Sequence, residues 1–348
     1  MKIFILFGGA WLGVVLARSH PQASCADMSS TRRPHLTQAG YYVAEMLVVA
    51  ARGRRLLVGE GTGVIDEIRA SLTRHLPGYE VRSLAKLGEG SGNVVYEVNG
   101  ELIVRASKET DPASRSESAQ REAKLLAVVA ELSTLPVPEP VFADIEAGVL
   151  AYVKLPGLPL IDHPVAQPSR LAAPLGDFLN HLHQGPLEKV EELVVRETYP
   201  LLAWRQDAER DYREVVEHLP TAARRLVEDF LGRTPPAESC AAAFCHNDLG
   251  AEHVLVDVEA NAVTGVIDWT DAGIADPGRD LALIYRDLGP KIFELTLSYY
   301  EGYFDDADRE RAVFYARCKL LEDIAYGIRT GARLYAQAGL AHLARTFV

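Results

Sequence analysis

The chain has 348 residues, of which 36 are Lys or Arg and 48 are Asp or Glu, for a net charge of −12. With 48% hydrophobic and 24% charged residues, it has the composition of a folded protein with a sizeable core, which excludes general disorder. The negative balance argues against a nucleic-acid partner, whose phosphates select a basic surface, and suits a cationic one.

Met1-Lys2 precedes a mostly apolar run, Ile3–Ala17, that looks like a secretory leader and is too short to span a membrane. The four cysteines, Cys25, Cys240, Cys245 and Cys318, form neither a CxxC pair nor a disulfide framework, and read as reduced and cytoplasmic. These two readings conflict. We resolve them by taking residues 1–25 as a mis-assigned start, and residues 1–63 as an extension that is poorly ordered or not native. No membrane is expected as a partner.

Order becomes legible near Val64. Ile68, Leu72 and Leu76 mark one face of a helix that starts near Asp66 and stops at Pro77-Gly78. Strands are predicted over Glu80–Leu87 and Asn93–Val98. Asn99-Gly100 then supplies the left-handed angles of a tight hairpin, and Glu101–Ser107 is the return strand. A helix over Ser114–Leu132 ends before Pro136, Pro138 and Pro140. Two more strands follow, Val141–Asp144 and Ala147–Leu155. Residues 64–155 thus form a small antiparallel sheet with one inserted helix. After Pro156-Gly157 the pattern is mainly helical, near 169–184, 199–219, 221–232 and from 279 onward, with a β-rich stretch at Val254–Trp269. The whole is α+β, a small lobe followed by a larger helical lobe over 156–348, with a cleft between them as the natural ligand site.

The densest chemistry lies in Cys245-His246-Asn247-Asp248-Leu249-Gly250-Ala251-Glu252-His253, followed by Gly265-Val266-Ile267-Asp268-Trp269 and by Ala275-Asp276-Pro277-Gly278-Arg279-Asp280. Phosphoryl transfer gives such spacing a reason. One carboxylate accepts the proton of the attacking hydroxyl, and a second holds the magnesium that bridges the nucleotide phosphates. A short hairpin between Asp248 and Asp268 would set them close without contact. Asp276-Pro277 reads equally as a helix start, Asp280 as a brace of the loop, and Asp257 as a solvated turn residue.

These runs resemble the aminoglycoside phosphotransferase family of antibiotic and small-molecule kinases. The resemblance covers the chain from about residue 66 to its end and implies a protein-kinase-like two-lobed fold, with ATP or GTP and Mg²⁺ as cofactors. It makes Asp248 the catalytic base, supported by His246, and Asp268 the magnesium ligand. In Leu87-Gly88-Glu89-Gly90-Ser91-Gly92-Asn93 it makes Gly88, Gly90, Ser91 and Gly92 a phosphate-cradling turn. Arg105 stands where kinases carry a phosphate-gripping Lys. Its expected partner is Glu122, which shares the apolar helical stripe of Leu125, Leu126 and Val129 and therefore wants a cation. Tyr152 and Val153 fall in the interlobe linker that would receive the purine. His181 and His183 are read as structural.

His253 departs from the family, which usually has a metal-binding Asn there. His253 is therefore grouped with the metal site, or with a phosphate or Asp248 instead. Macrolide phosphotransferases carry His in this loop. The expected acceptor is a hydroxyl of an antibiotic-like small molecule, aminoglycoside or macrolide. A metabolite kinase acting on a sugar or amino alcohol, and a nucleotide-binding pseudokinase, are the alternatives. The acidic runs Asp305–Glu310 and Glu322-Asp323 are read as solvated helix starts. Most of Tyr285, Tyr299, Tyr300, Tyr303, Phe304 and Tyr326 are read as core.

Overall fold

The computed structural model describes residues 4–7, 10–13, 62–90 and 92–347. Strands β1 (Phe4–Phe7) and β2 (Ala10–Gly13) pair antiparallel within a unit of their own. The remainder of the leader-like segment and most of the extension lie outside the described residues.

Helix α1 (Thr62–His75) leads into strands β3 (Leu84–Glu89), β4 (Asn93–Val98) and β5 (Leu102–Ser107). Helix α2 (Pro112–Leu132) follows, then β6 (Pro140–Asp144) and β7 (Val149–Val153). The five strands make one antiparallel sheet in the order β3-β4-β5-β7-β6. Strand alternation sorts the side chains by face. Val94, Tyr96, Val98, Val104 and Phe142 pack with Ile68 and Leu72 of α1. The opposite face carries Val95, Ile103 and Tyr152, together with Arg105, whose register partner is Val95.

The hairpin at Asn99-Gly100 forms as expected, with φ of 56° and 75°. Residues 80–83, expected as strand, are not. There the Asn99 amide oxygen accepts the N–H groups of Arg82 and Ser83 at 2.8 and 3.0 Å, replacing a ladder, and pairing begins at Leu84. Helix α2 starts at Pro112, slightly earlier than expected, because Asp111 caps it by accepting the Ser114 N–H at 2.8 Å.

The second half holds β8 (Leu158–Pro159), α3 (Ser169–His183), β9 (Val195–Arg196), α4 (Leu201–Val215) and α5 (Thr221–Leu231). The loop-bearing strands β10 (Ala243–Cys245), β11 (Val254–Asp257), β12 (Ala262–Val266) and β13 (Gly273–Ala275) come next. Helices α6 (Gly278–Leu288), α7 (Pro290–Leu297), α8 (Asp306–Thr330) and α9 (Arg333–Thr346) complete it. The main core joins Phe178, Phe244, Trp269, Leu281 and Leu320 with Leu125, Leu126 and Val129 of α2. Helix α2 thus fastens the sheet to the helical half. Gly157, with φ 101°, turns the linker where a Cβ would lie 2.1 Å from Thr264 Oγ1, so only glycine fits.

The two acidic runs behave differently. Asp305 and Asp308 form a reciprocal capping box at the start of α8. Glu322 and Asp323 are no helix start: they sit inside α8, their side chains only 17% and 21% exposed. Among the aromatic residues, Tyr285 is buried, whereas Tyr299 and Tyr303 are 47% and 85% exposed.

Candidate active site

The loop between β10 and β11 is held by its backbone. Asp280, fully buried, accepts the N–H groups of His246 and Asn247 at 2.9 and 2.7 Å and faces His183 Nε2 at 3.0 Å. It therefore braces the loop, as does His183. His246 Nδ1 accepts the Asp248 N–H at 3.2 Å, and its Nε2–H donates to the Ile267 carbonyl at 3.0 Å. Burial pushes the His246 imidazole below its ordinary value, so the ring is neutral and serves as a clamp. Ala251 N–H donates to Asp287 Oδ2 at 2.8 Å. Asn247 takes a left-handed φ of 65°, which Asn tolerates better than most residues. The side chain of Asp248 is left at the rim of the loop, 11% exposed.

Asp268 follows β12 with φ 60°, a strained conformation of the kind that gathers at functional sites. Thr270 donates its hydroxyl to Asp268 Oδ1 at 2.7 Å. Arg105 Nη1 lies 3.8 Å from the same oxygen, and Arg105 Nε lies 2.9 Å from Glu122 Oε1. The expected Arg105–Glu122 pair is thus present. Arg105 also donates from Nη2 to Thr270 Oγ1 at 3.0 Å, tying the sheet to the second half. Burial alone would raise the Asp268 carboxyl, but the His253 and Arg105 cations bring it below the usual range.

His253 sits between the two carboxylates. Its Nδ1 donates to the Asp248 carbonyl at 2.7 Å and is 3.4 Å from Asp248 Oδ2, while Nε2 is 3.7 Å from Asp268 Oδ2. Burial disfavours its charge, yet Asp248, Asp268 and Glu252 outweigh that and raise it to about 9. Both ring nitrogens face oxygen acceptors, an arrangement that favours the protonated ring.

In the turn between β3 and β4, Gly88 lies at a register shift and Gly90 N–H donates to the Asn93 carbonyl at 2.9 Å. Gly92 faces open space, and Ser91 lies outside the described residues. Lys108, not singled out from the sequence, joins this turn. Its Nζ donates to the Gly90 carbonyl at 3.1 Å and lies 2.7 Å from Glu89 Oε1. With Lys86, it holds the Glu89 carboxyl at about 2. Tyr152 is buried and Val153 exposed at the end of β7. Arg105, Glu122, Pro138, Tyr152 and Asp268 line a small pocket on this side of the sheet.

Across Asp248 lies a set of buried charges that sequence reasoning missed. Lys319 Nζ is 3.6 Å from Asp248 Oδ1 and 3.6 Å from Glu322 Oε2. Asp211 on α4 is raised to about 7 by burial and by Glu322. Asp271 is raised to about 7 by burial and by the carboxylates of Asp248 and Asp268. Arg286 gathers Asp287 at 2.7 Å and Glu252 at 3.4 Å, and also pairs with Asp323. The helical pattern of α8 held a clue: Lys319, Glu322 and Asp323 recur at one-turn spacing. Asp276 accepts the Gly278 N–H and pairs with Arg311 at 2.8 Å, while Asp257 is exposed in its turn.

Residues 83–315 match the family model of the phosphotransferase enzyme family, APH. The chain is 26% identical over 280 residues to viomycin phosphotransferase of Streptomyces vinaceus, covering 77% of this chain and 95% of that protein. Among solved structures, the GDP complex of aminoglycoside 2′-phosphotransferase-IIIa has a TM-score of 0.58 at 20% identity, covering 81% of this chain and 98% of that one. The apoenzyme of a macrolide 2′-phosphotransferase from Brachybacterium faecium has a TM-score of 0.56 at 24% identity, covering 80% and 98%. The sheet-plus-helices architecture is therefore the two-lobed, kinase-like fold of these enzymes. On the extent of the family match, the chain belongs to the APH phosphotransferase enzyme family, whose members pass a phosphoryl group to an alcohol acceptor.

Proposed function

We propose that this enzyme moves the γ-phosphoryl group of ATP or GTP to a hydroxyl of a cationic, antibiotic-like small molecule. The observation that carries this reading is the spacing of Asp248 and Asp268 on either side of His253, with Arg105 reaching Asp268 from the sheet. Asp248 accepts the proton of the acceptor hydroxyl as its oxygen bonds the γ-phosphorus. The bond from phosphorus to the β–γ bridging oxygen breaks, and that oxygen leaves with the nucleoside diphosphate. Fixed charges supply most of the rate enhancement, because they need no reorganisation as charge develops.

Arg105, anchored by Glu122, and the turn Gly88–Gly92 hold the phosphates, and the linker at Tyr152 and Val153 receives the purine. The donor set fits magnesium. Asp268 offers hard carboxylate oxygen, and Mg²⁺ takes one or two carboxylates with substrate phosphates and water. When bound, magnesium neutralises phosphate charge. His253, a proton donor at both nitrogens, is assigned to holding the two carboxylates apart rather than to the metal. The nucleotide and the reduced thiols both suit a cytoplasmic setting.

A cationic acceptor is favoured because a positive charge near Asp211 and Asp271, whose carboxyls burial and neighbouring acids raise to about 7, would draw off their protons and pair with them. Similarity to viomycin phosphotransferase over nearly that protein's whole length makes viomycin the first acceptor to test. With magnesium and ATP or GTP, phosphorylation of viomycin or kanamycin is expected, falling by roughly 10²–10⁴ in kcat for Asp248→Asn. An Asp248→Asn enzyme retaining its kcat would overturn the assignment of the base.

A further inference from the structure

We propose that Lys319 is a positioning residue of the phosphoryl transfer, gripping Oδ1 of Asp248 so that the base keeps one orientation toward the acceptor. This rests on the reading of Asp248 as the base.

A carboxylate rotates broadly about its terminal torsion. A base must nevertheless aim a lone pair at one proton, and a small misplacement at a reacting centre costs rate steeply. Each carboxylate oxygen of Asp248 faces one basic side chain at ion-pair distance. His253 Nδ1 lies 3.4 Å from Oδ2, and Lys319 Nζ lies 3.6 Å from Oδ1. The loop itself supplies no second cation. Residues 247–252 contain no basic side chain. Gly250 leaves no room for one, since a Cβ there would stand 2.3 Å from Glu252 Oε2 and 2.6 Å from Arg286 Nη2. The cation arrives instead from α8.

Lys319 is itself well placed. It is 4% exposed, with Leu320 and Leu321 beside it fully buried. Its ammonium sits 5.9 Å above the centre of the Trp204 ring of α4 and 3.6 Å from Glu322, a cation–π and ion-pair seat that limits its freedom. A flexible lysine is thereby made a fixed point.

The test is magnesium-dependent hydrolysis of ATP and GTP by the full chain, where water takes the phosphoryl group and gives its proton to Asp248. For Lys319→Met, kcat is expected to fall about 10²-fold with the nucleotide KM unchanged. In the Asp248→Asn background the same substitution is expected to change kcat less than about two-fold, because grouped residues are strongly non-additive. Lys319→Met also strips Glu322 of its partner, so Lys319→Met/Glu322→Gln is measured alongside, and its kcat should stay low. Recovery of kcat in that pair, or an equal Lys319→Met loss in both backgrounds, would show a merely structural lysine and overturn the proposal. If Asp248→Asn abolishes hydrolysis while Lys319→Met leaves it intact, the lysine's role alone fails. If Asp248→Asn leaves hydrolysis intact, or neither nucleotide is consumed with water, viomycin or kanamycin as acceptor, the proposed function fails with it.

Discussion

Asp280 shows how one buried carboxylate can carry a loop. It meets two backbone N–H groups and an imidazole, all within 3.0 Å and out of water. Each buried donor left without a partner costs about 1–3 kcal/mol. Asp280→Ala should therefore lower the unfolding free energy by roughly 3–5 kcal/mol, read as a shift in denaturant midpoint, and lower kcat as the 246–248 backbone loosens. Asp280→Asn keeps one acceptor oxygen and should lose less. A midpoint unchanged by Asp280→Ala would refute the brace. At this scale the sequence was informative where chemistry is local. Asp248 and Asp268 stand in recognisable runs, and Glu122 shows its phase against Leu125, Leu126 and Val129. Lys319, Asp211 and Lys108 stand in no such run: the groups that give them meaning, Asp248 for Lys319, Glu322 for Asp211 and Glu89 for Lys108, come from other elements.

At the scale of elements, the junction of β5 and α2 matters most. Arg105 is 5% exposed and meets Glu122 at 2.9 Å, so removing one partner leaves a buried charge poorly matched. Glu122→Gln is expected to weaken nucleotide binding about ten-fold, measured by titration with ATP and GTP. Arg105→Lys should fare no better, since an ammonium cannot reproduce the forked contacts to Glu122 and Thr270. Wild-type affinity in both variants would show the pair to be incidental. The order of strands and helices was legible from periodicity and turn residues up to Val153, whereas the short strands β8, β9, β10 and β13 carry too few residues to show a period. Their ends moved where side chains override propensity: Asn99 takes over the backbone of residues 82–83, and Asp111 draws α2 back to Pro112. Glu322-Asp323 was misread because a pair of acids looks the same on a solvated end and inside a helix facing buried cations.

For the whole molecule, the buried acids make stability depend on pH. Asp211 is raised from an ordinary 3.8 to about 7. Its folded form thus holds a proton that the unfolded chain has already released. Stability from this group is full below about pH 4 and declines as pH rises toward 7. Asp211→Asn should be more stable than the parent at pH 8, by roughly 1–4 kcal/mol, and equal to it near pH 4, as read by thermal unfolding across that range. A constant difference would mean that Asp211 does not titrate in this window.

The grip on Asp248 comes from α8, far along the chain from the motifs that announce the chemistry. A ribosome that has just finished residue 315 has produced every residue matched by the family model, yet the nascent chain still lacks Lys319 and the second half of the helix that carries it. Recognition by motif and competence for reaction are therefore separated in time during synthesis. A shortened gene product could keep the full signature of a phosphotransferase while its base is held on one side only.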